Sequence, residues 1–223
     1  MTVVWNKIEE LANTLKSKFD ATGEPIKSTV DTDYDWHNQL WSGARYRRAH
    51  IEIVDNRESH NLYILHCTVF PHFNDPSPIF GFDAVCGPNK ITGAFCDFSS
   101  AGDATHPMML WFANEVLYYN WKRARNLPEW AQSIFSPSMV AAGNVQAGEE
   151  LNNLCELAKR SLDYYLKNVG NTQQDAANYH MAQNRYCHYQ KQNPHVIKSM
   201  VTMGVEEAKM KRFVSEVLFP EVV

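Results

Sequence analysis

The segment LHCTVFPHFNDPSPIFGFD, residues 65–83, predicts two antiparallel β-strands joined by a loop. Pro71 and Pro78 cannot donate hydrogen bonds to a neighbouring strand, so they bracket the loop. A symmetric loop has its centre midway between the two prolines, and this register places His66 directly opposite Asp83. The sequence therefore predicts a cross-strand pair of an imidazole and a carboxyl group on one face of a sheet.

Strand alternation divides the rest of this hairpin between two faces. The face of His66 and Asp83 is expected to carry Ile64, Thr68, Gly81 and Val85. The opposite face is expected to carry Leu65, Cys67, Val69, Phe80 and Phe82. The second set is fully apolar, which is typical of a face that packs against the core.

Glu52 belongs to the run that precedes this hairpin. If the turn in VDNRESHN, residues 54–61, centres on a residue, Glu52 lies opposite or diagonal to His66, whereas a slip of one residue moves it to the other face. Burial and like charge raise the pKa of carboxyl groups toward that of imidazole, so such a group can exchange protons near neutral pH. On the pattern alone, a buried structural pair explains Asp83 and His66 equally well.

Outward from the hairpin, four β-type runs follow one another at residues 44–55, 61–70, 78–86 and 90–98, and their short connections predict an antiparallel meander. Apolar residues at helical spacing predict a helix over 3–20. Further helices are expected at 108–124, at 148–168 and in a C-terminal stretch broken near 193–194, and residues 134–144 could form another strand. Helices at both ends of a strand-rich middle indicate one antiparallel sheet covered by helices.

Composition limits the function classes. With 223 residues and 44% hydrophobic content, one compact domain spanning 1–223 is expected. No apolar run approaches the roughly 20 residues of a membrane span, and the amphipathic N-terminus does not resemble a signal peptide, so we expect a soluble, cytoplasmic protein without membrane contact. The net charge of −4 argues against nucleic acid as a partner.

Cofactor motifs are missing from the sequence. The five cysteines form no CxxC or CxxxC pair, and the chain has no GxGxxG, GxxxxGK[ST] or GxSxG. A metal enzyme using His66, His72, His106 or Asp83 is also a weak interpretation, because these residues form no HxH or HExxH motif. We therefore expect no bound metal and no tightly bound cofactor.

Several motifs together resemble the ferredoxin-dependent bilin reductases, in particular their phycocyanobilin-forming branch. They are HIE at 50–52, LHCTVFP at 65–71, PIFGFD at 78–83, LPEW at 127–130, IFS at 134–136, and RYC with QKQN up to Asn193. The resemblance extends from the first strand to near the C-terminus, and the combination of LHC..FP with FG.D at this spacing is its most specific part.

The resemblance implies an α/β/α sandwich, with a central antiparallel sheet flanked by helices, that binds biliverdin IXα between the sheet and the C-terminal helices. Reduced ferredoxin would be the external electron donor and would deliver electrons singly through bilin radicals. Asp83 matches the aspartate that protonates the bilin, His66 its partner, and Glu52 the glutamate associated with the D-ring vinyl group. Asn193 matches a position near the bilin edge that holds Asn or Asp, although Asn before Pro194 is equally typical of a helix N-cap.

The chain departs from the family pattern in two places. The arginine that grips a propionate falls near Gly143 and its neighbouring lysine at His195, so the propionates would be held by His195, Arg185 or Lys198 or would stay partly solvated. The connection after Glu52 is about two residues longer, which could bring Asp55 nearby. These departures favour a phage-type relative that makes phycoerythrobilin, with phycocyanobilin second.

Acidic ferredoxin would dock on a basic cluster. The candidate clusters are Lys122, Arg123 and Arg125 on one helix, Lys159 and Arg160 on another, and Lys209, Lys211 and Arg212 near the end. Most charge runs are solvated faces, so the sequence does not choose among them.

The protein is expected to be a monomer. The main alternative is a non-catalytic bilin-binding or carrier protein, which would need no acid at the centre of the tetrapyrrole; a covalent photoreceptor would need a cysteine beside the A-ring.

Overall fold

The computed structural model describes residues 2–28, 30 and 36–222. Within these ranges the strands form one eight-stranded sheet in which every neighbouring pair is antiparallel. The strands are β1 Glu24–Ile26, β2 His37–Ser42, β3 Tyr46–Asn56, β4 Leu62–Pro71, β5 Ile79–Cys86, β6 Lys90–Ser99, β7 Val140–Ala142 and β8 Val145–Gln146. Their order across the sheet is β1 to β7, and β8 pairs with β6 beside β7.

The central meander β3–β6 confirms the four predicted runs within about two residues at each end. His66 is the partner of Asp83 in the β4–β5 pairing, and Glu52 is the partner of His66 in the β3–β4 pairing. The short helix α2, Arg57–His60, makes the turn between β3 and β4, and Asn61 closes it in the left-handed conformation at φ 52°. The turn therefore centres on a residue, and Glu52 shares the face of His66.

Helices cover both faces of the sheet. They are α1 Val3–Thr22, α3 Pro107–Glu115, α4 Glu129–Gln132, α5 Glu149–Asn168, α6 His180–Gln190, α7 Pro194–Thr202 and α8 Glu207–Phe213. Apolar residues of α1, α3 and α5 pack in one cluster with the sheet face that carries Leu65, Cys67, Phe80 and Phe82. Apolar residues of α6, α7 and α8 form a second cluster with Val54, Phe70 and Ile79 on the other face. The α/β/α sandwich is thus confirmed.

Three expectations about elements need correction. The predicted helix over 108–124 ends at Glu115, is followed by a single 3-10 turn at Val116–Tyr118, and continues as extended chain in which Ala124 bridges to Ala142. Lys122, Arg123 and Arg125 therefore lie on an extended segment beside β7 and not on a helix. Only the 140–142 part of the expected strand at 134–144 is a strand.

The structure also contains two strands, β1 and β2, that the sequence did not indicate. Their residues form a short run with no clear alternation. β2 pairs with β3, whose outer edge would otherwise lack a partner, and β1 pairs with β2. Among the described residues, no helix is both long and apolar enough to span a lipid bilayer.

Candidate functional site

A row of side chains crosses the sheet on the face that α6, α7 and α8 cover. Strand register pairs Asn38 with Glu52, Glu52 with His66, His66 with Asp83, and Asp83 with Phe95. Neighbouring strands lie about 4.8 Å apart, so each member of this row is next to the following one. The row brings together the three residues that sequence reasoning placed at the centre of the site.

Two adjoining cavities, of about 550 Å³ and about 280 Å³, lie over this row. The residues that line both are His66, Asp83, Phe95, Arg125, Asn193, His195, Val196 and Phe219. Glu52 lines the smaller cavity, and the 127–135 segment forms one wall of the larger. A cavity of this size with mainly apolar walls and a few polar groups is typical of a site for an organic ligand.

The side chains of Glu52, His66 and Asp83 at the floor of the cavities do not form hydrogen bonds with one another. Nδ1 of His66 lies 3.9 Å from Oδ1 of Asp83, which is too long for a hydrogen bond. Nε2 of His66 and Oε1 of Glu52 are buried and have no hydrogen-bond partner among the described residues. A buried pair with only a structural role normally satisfies its own hydrogen bonds. The unpaired atoms therefore favour a site for a ligand over the structural explanation.

Burial shifts the acid–base properties of all three groups. It raises the pKa of Glu52 to about 8, with the nearby charge of Asp83 adding to the effect. It raises the pKa of Asp83 to about 7, although a hydrogen bond from the backbone N–H of Ala84 opposes the shift. It lowers the pKa of His66 to about 4. Near neutral pH, Glu52 therefore holds a proton, Asp83 titrates and His66 is neutral, so the carboxyl groups of this row are able to donate protons.

A second histidine, His50, lies next to His66. His50 is fully buried, its ring centroid is 5.9 Å from that of His66, and its Nε2 is hydrogen-bonded to Oδ1 of Asn38. Burial and the neighbouring His66 hold the pKa of His50 well below its ordinary value. Sequence reasoning quoted His50 within a motif but assigned it no place in the site. Its position follows from the β3–β4 register, since it pairs with Thr68 two residues from His66.

Asn193 has the N-cap role that its sequence context predicts. Its Oδ1 accepts the backbone N–H of His195 at 3.0 Å, and Pro194 occupies the first position of α7. The same residue lines both cavities. Capping and contact with the cavity are thus compatible, because the start of α7 is directed at the cavity. His195, the next residue but one, lines both cavities as well.

The two other cations proposed for substrate binding lie elsewhere. Arg185 is exposed, donates to the backbone oxygen of Ser133 at 3.3 Å and lies over the ring of Tyr189. Lys198 is exposed and lines neither cavity. Both belong to helix positions that face away from the sheet, which periodicity alone did not reveal.

Asp55 does not approach the site, and Glu52 pairs regularly with His66. Asp55 pairs with Tyr63 across the β3–β4 ladder, and its carboxylate accepts a hydrogen bond from Nε of Arg57 at 2.7 Å. Within the connection, the helix α2 at Arg57–His60 lies outside the sheet.

Sequence reasoning missed several residues of the cavity wall. Arg125, assigned to a docking cluster, instead lines both cavities. Asp97 lines the larger cavity and accepts hydrogen bonds from Ser99 and Ser136, which attach the 134–136 segment to β6. Extending the hairpin register by one strand would have found Asp97, since it pairs with Gly81.

Among the described residues, no group of three or more His, Cys, Asp or Glu side chains is arranged to hold a metal ion.

Comparison with known proteins gives a consistent family. The family model described as "Ferredoxin-dependent bilin reductase" matches residues 4–220. Phycocyanobilin:ferredoxin oxidoreductase of Prochlorococcus marinus (strain MIT 9313) is 30% identical over 190 residues, which cover 82% of this chain and 70% of the relative. The enzyme of the same name from Gloeobacter violaceus is 27% identical over 191 residues, covering 82% of this chain and 72% of the relative.

Two solved structures are similar over nearly the whole chain. The structure of PcyX has a TM-score of 0.71 at 25% sequence identity, and the match covers 97% of this chain and 99% of that one. Phytochromobilin synthase from tomato in complex with biliverdin has a TM-score of 0.74 at 15% identity, covering 95% of this chain and 82% of that one. The second likeness is evidence for the fold alone.

Proposed function

Because the chain belongs to the ferredoxin-dependent bilin reductase family, and is therefore an oxidoreductase that takes electrons from ferredoxin, we propose that it reduces biliverdin IXα to a phycobilin. The reaction class is reduction of CH–CH groups with ferredoxin as the donor. We further propose that residues 1–223 act as one domain and as a monomer, with no tightly bound cofactor.

The observation that carries this proposal is the row Glu52–His66–Asp83 beneath the two cavities. Reduction of a conjugated tetrapyrrole by electrons alone would accumulate negative charge on it, so protons must be supplied at defined atoms. A surface that presents neutral acids inside a mainly apolar cavity meets this requirement. A carrier protein would need the cavity but not the acids.

Each residue of the row has a separate task in the proposed mechanism. Ferredoxin delivers electrons one at a time, and each bilin radical becomes more basic and takes a proton. Asp83, with a pKa of about 7, is the first donor and is recharged from solvent near neutral pH. His66 is neutral, so it can accept or pass a proton beside Asp83. Glu52 retains its proton up to about pH 8 and serves the vinyl group at the D-ring end.

Asn193 and His195 are proposed to contact the edge of the bilin. The Oδ1 atom of Asn193 is used by the helix cap, so its side-chain amide N–H groups are the ones that can donate to a substrate oxygen. His195 borders both cavities, and its imidazole can donate to a propionate. Arg185 and Lys198 remain candidates only for a propionate that extends to the surface.

For the product, we propose phycoerythrobilin, with phycocyanobilin as the second candidate. The first is favoured by the departures from the phycocyanobilin-forming pattern at Gly143 and His195. The second is favoured by the names of the curated relatives, which are phycocyanobilin:ferredoxin oxidoreductases. The regular pairing of Glu52 with His66 is compatible with both, so product identity requires a direct assay.

The decisive experiment is an anaerobic assay with biliverdin IXα, ferredoxin and its reductase, followed by chromatography of the pigments against authentic phycobilins. We expect stoichiometric binding with a change in visible absorption, and then conversion to one main phycobilin. Binding without conversion would support the carrier protein instead. Absence of any spectral change at micromolar protein would contradict the substrate assignment.

A further inference from the structure

The C-terminal strap, residues 214–222, brings an aromatic ring to the row. Phe219 is buried and lines both cavities. Its ring centroid lies 5.9 Å from that of His66, and the two ring planes stand at 88° to each other. Resting on the proposed function, we propose that Phe219 is a positioning residue that excludes water from the imidazole of His66 and so keeps the proton of the His66–Asp83 pair on the carboxyl group.

A π-helical turn sets the place of Phe219. The turn, Val214–Leu218, follows α8 directly, and the backbone N–H of Phe219 donates to the backbone oxygen of Val214 at 2.9 Å. A π turn closes over one more residue than an α turn, so it changes the direction in which the next side chain leaves the helix. Such turns are frequent at functional sites. Phe219 is the first residue after this turn.

Hydrogen bonds on both sides of Phe219 fasten the strap. After Phe219, the side chain of Asn184 on α6 binds both backbone groups of Val222, accepting from its N–H at 2.9 Å and donating to its oxygen at 2.7 Å. Before Phe219, the guanidinium of Arg48 on β3 donates to the backbone oxygen of Val217. The aromatic ring is therefore held against His66 by contacts with α6 and with the sheet.

The groups that face His66 do not by themselves favour a neutral imidazole. The titratable and charged groups around it are Glu52 and His50 on β3, Asp83 on β5, His195 on α7 and Arg125 on the extended segment beside β7. A carboxylate nearby would favour the charged imidazolium. Burial nevertheless lowers the pKa of His66 to about 4, and its Nε2 is enclosed without a hydrogen-bond partner. Exclusion of water thus decides the charge of His66.

This exclusion determines where the proton of the pair resides. Nδ1 of His66 lies 3.9 Å from Oδ1 of Asp83, so the two groups influence each other without sharing a hydrogen bond. If water reached the imidazole, it would stabilise the imidazolium, and the proton would move from the carboxyl group to the ring. Asp83 would then be a carboxylate with no proton to donate. Phe219 supplies no proton and acts on the reaction only through His66.

The test follows the imidazole of His66 by proton NMR in the protein without bilin or ferredoxin. Its signal is identified by its absence from the spectrum of His66→Gln, and its titration midpoint is compared in wild type, Phe219→Ala and Phe112→Ala. Phe112 is equally buried but packs on the opposite face of the sheet and lines neither cavity. We expect the midpoint to rise by about one pH unit or more in Phe219→Ala and to stay unchanged in Phe112→Ala.

Two milder variants keep the test decisive if Phe219→Ala does not fold. Asn184→Ala releases both backbone groups of Val222 and leaves Phe219 in the chain, so the midpoint should rise by a smaller amount. Phe219→Leu keeps a large apolar side chain beside the imidazole, so its midpoint should remain near that of wild type. Circular dichroism of each variant identifies any loss of folding.

The pH dependence of turnover with biliverdin and ferredoxin is the second readout. Protonated Asp83 is the proposed donor, so turnover should fall as pH rises through its pKa of about 7. In Phe219→Ala, water and the neighbouring imidazolium lower that pKa, so the fall should begin at lower pH than in wild type. Phe112→Ala should keep the wild-type profile even where its stability is reduced.

The outcomes separate this inference from the proposed function. An unchanged midpoint of His66 in folded Phe219→Ala, or in Asn184→Ala where the first variant does not fold, would overturn the role of Phe219. An equal rise in Phe112→Ala would overturn it as well. Failure of the wild type to convert biliverdin would refute the proposed function, whereas the NMR titration needs no bilin and still decides whether Phe219 keeps His66 neutral.

Discussion

At the residue scale, the chemistry of the site depends on how burial distributes protons. Glu52 is 3% exposed and Nε2 of His66 is enclosed, so water does not stabilise their charged forms. The side chain of Asp83 is 35% exposed, and it borders both cavities. A ligand over the row would cover this exposed part and favour the protonated form of Asp83 further.

Asp83→Asn should separate binding from catalysis. Asparagine is nearly isosteric with aspartic acid but cannot supply the proton, so bilin affinity should be retained while turnover falls by about 100-fold or more. A bilin radical should accumulate, and electron paramagnetic resonance together with visible absorption would detect it. His66→Gln should act in the same direction. The matched control is Asp55→Asn, which removes a carboxylate outside the cavities; turnover of Asp83→Asn near that of this control would contradict the proton-donor role.

Glu52 should make the folded state less stable as pH rises. The folded protein keeps the proton of Glu52 up to about pH 8, whereas the unfolded chain loses it near 4.5, so the folded state binds more protons between these values. The free energy of unfolding should therefore fall by about 2 kcal/mol from pH 6.5 to 8.5. Urea titrations at the two pH values should show that Glu52→Gln removes most of this fall. An equal fall in both proteins would show that Glu52 is already ionised at pH 6.5.

At the element scale, the residue that caps α7 also lines the cavities, so helix stability and the site depend on the same side chain. The helix begins at Pro194 beside the cavities because Asn193 caps it and Pro194 has the φ that a first helical residue needs. Aspartate caps a helix as well as asparagine does.

Replacing the cap should have a measurable cost. Asn193→Ala removes the acceptor of the His195 N–H and should lower the free energy of unfolding by about 1 kcal/mol. Asn193→Asp keeps an acceptor and adds a charge that the helix N-terminus favours, so its stability should remain near that of wild type. Urea unfolding of the three proteins at one pH measures the difference. Equal stability of Asn193→Ala and wild type would show that the cap contributes nothing.

At the scale of the whole molecule, several cations of the candidate docking clusters already have carboxylate partners. Arg160 is bonded to Glu115, Lys211 to Glu207 and Arg212 to Glu216. Lys122 and Arg123 are exposed and have no carboxylate partner within the described ranges. They also precede Arg125, which lines the cavities. An acidic ferredoxin that docks here would be close to the edge of the bilin, so this cluster is favoured among the three.

Turnover with ferredoxin should fall steeply with ionic strength. Salt shortens the Debye length from about 10 Å at 0.1 M to about 3 Å at 1 M, which weakens electrostatic steering, whereas bilin binding depends mainly on buried apolar surface. Replacing Lys122 and Arg123 together by Ala should raise the KM for ferredoxin several-fold and reduce this salt dependence. The control replaces Lys211 and Arg212, whose charges are already paired.

Two results would contradict this account of the donor. Salt-independent turnover would exclude docking through a basic cluster, and it would leave the roles of Asp83 and His66 untouched. Sustained reduction by NADPH without ferredoxin and its reductase would overturn the donor itself, because the chain has no dinucleotide fingerprint.

The sequence by itself determined the central meander and the pairing of His66 with Asp83. Pro71 and Pro78 fix the ends of the loop, and strand alternation then leaves one register that buries Leu65, Cys67 and Phe82 together. The family followed from motifs at fixed spacing. These features are local or depend on neighbouring strands, so short-range rules were sufficient.

Tertiary structure alone decided the cavity and its cation. The segment around Arg125 contains helix-forming residues, yet it is extended because it pairs with β7, more than fifteen positions later in the chain. No local pattern shows that Gly93 and Gly143 leave space for the Arg125 side chain, since the three residues meet only when β6, β7 and this segment lie side by side. The pKa shifts of Glu52, His66 and Asp83 likewise arise from burial by helices distant in sequence, which supply no signal at the residues they enclose.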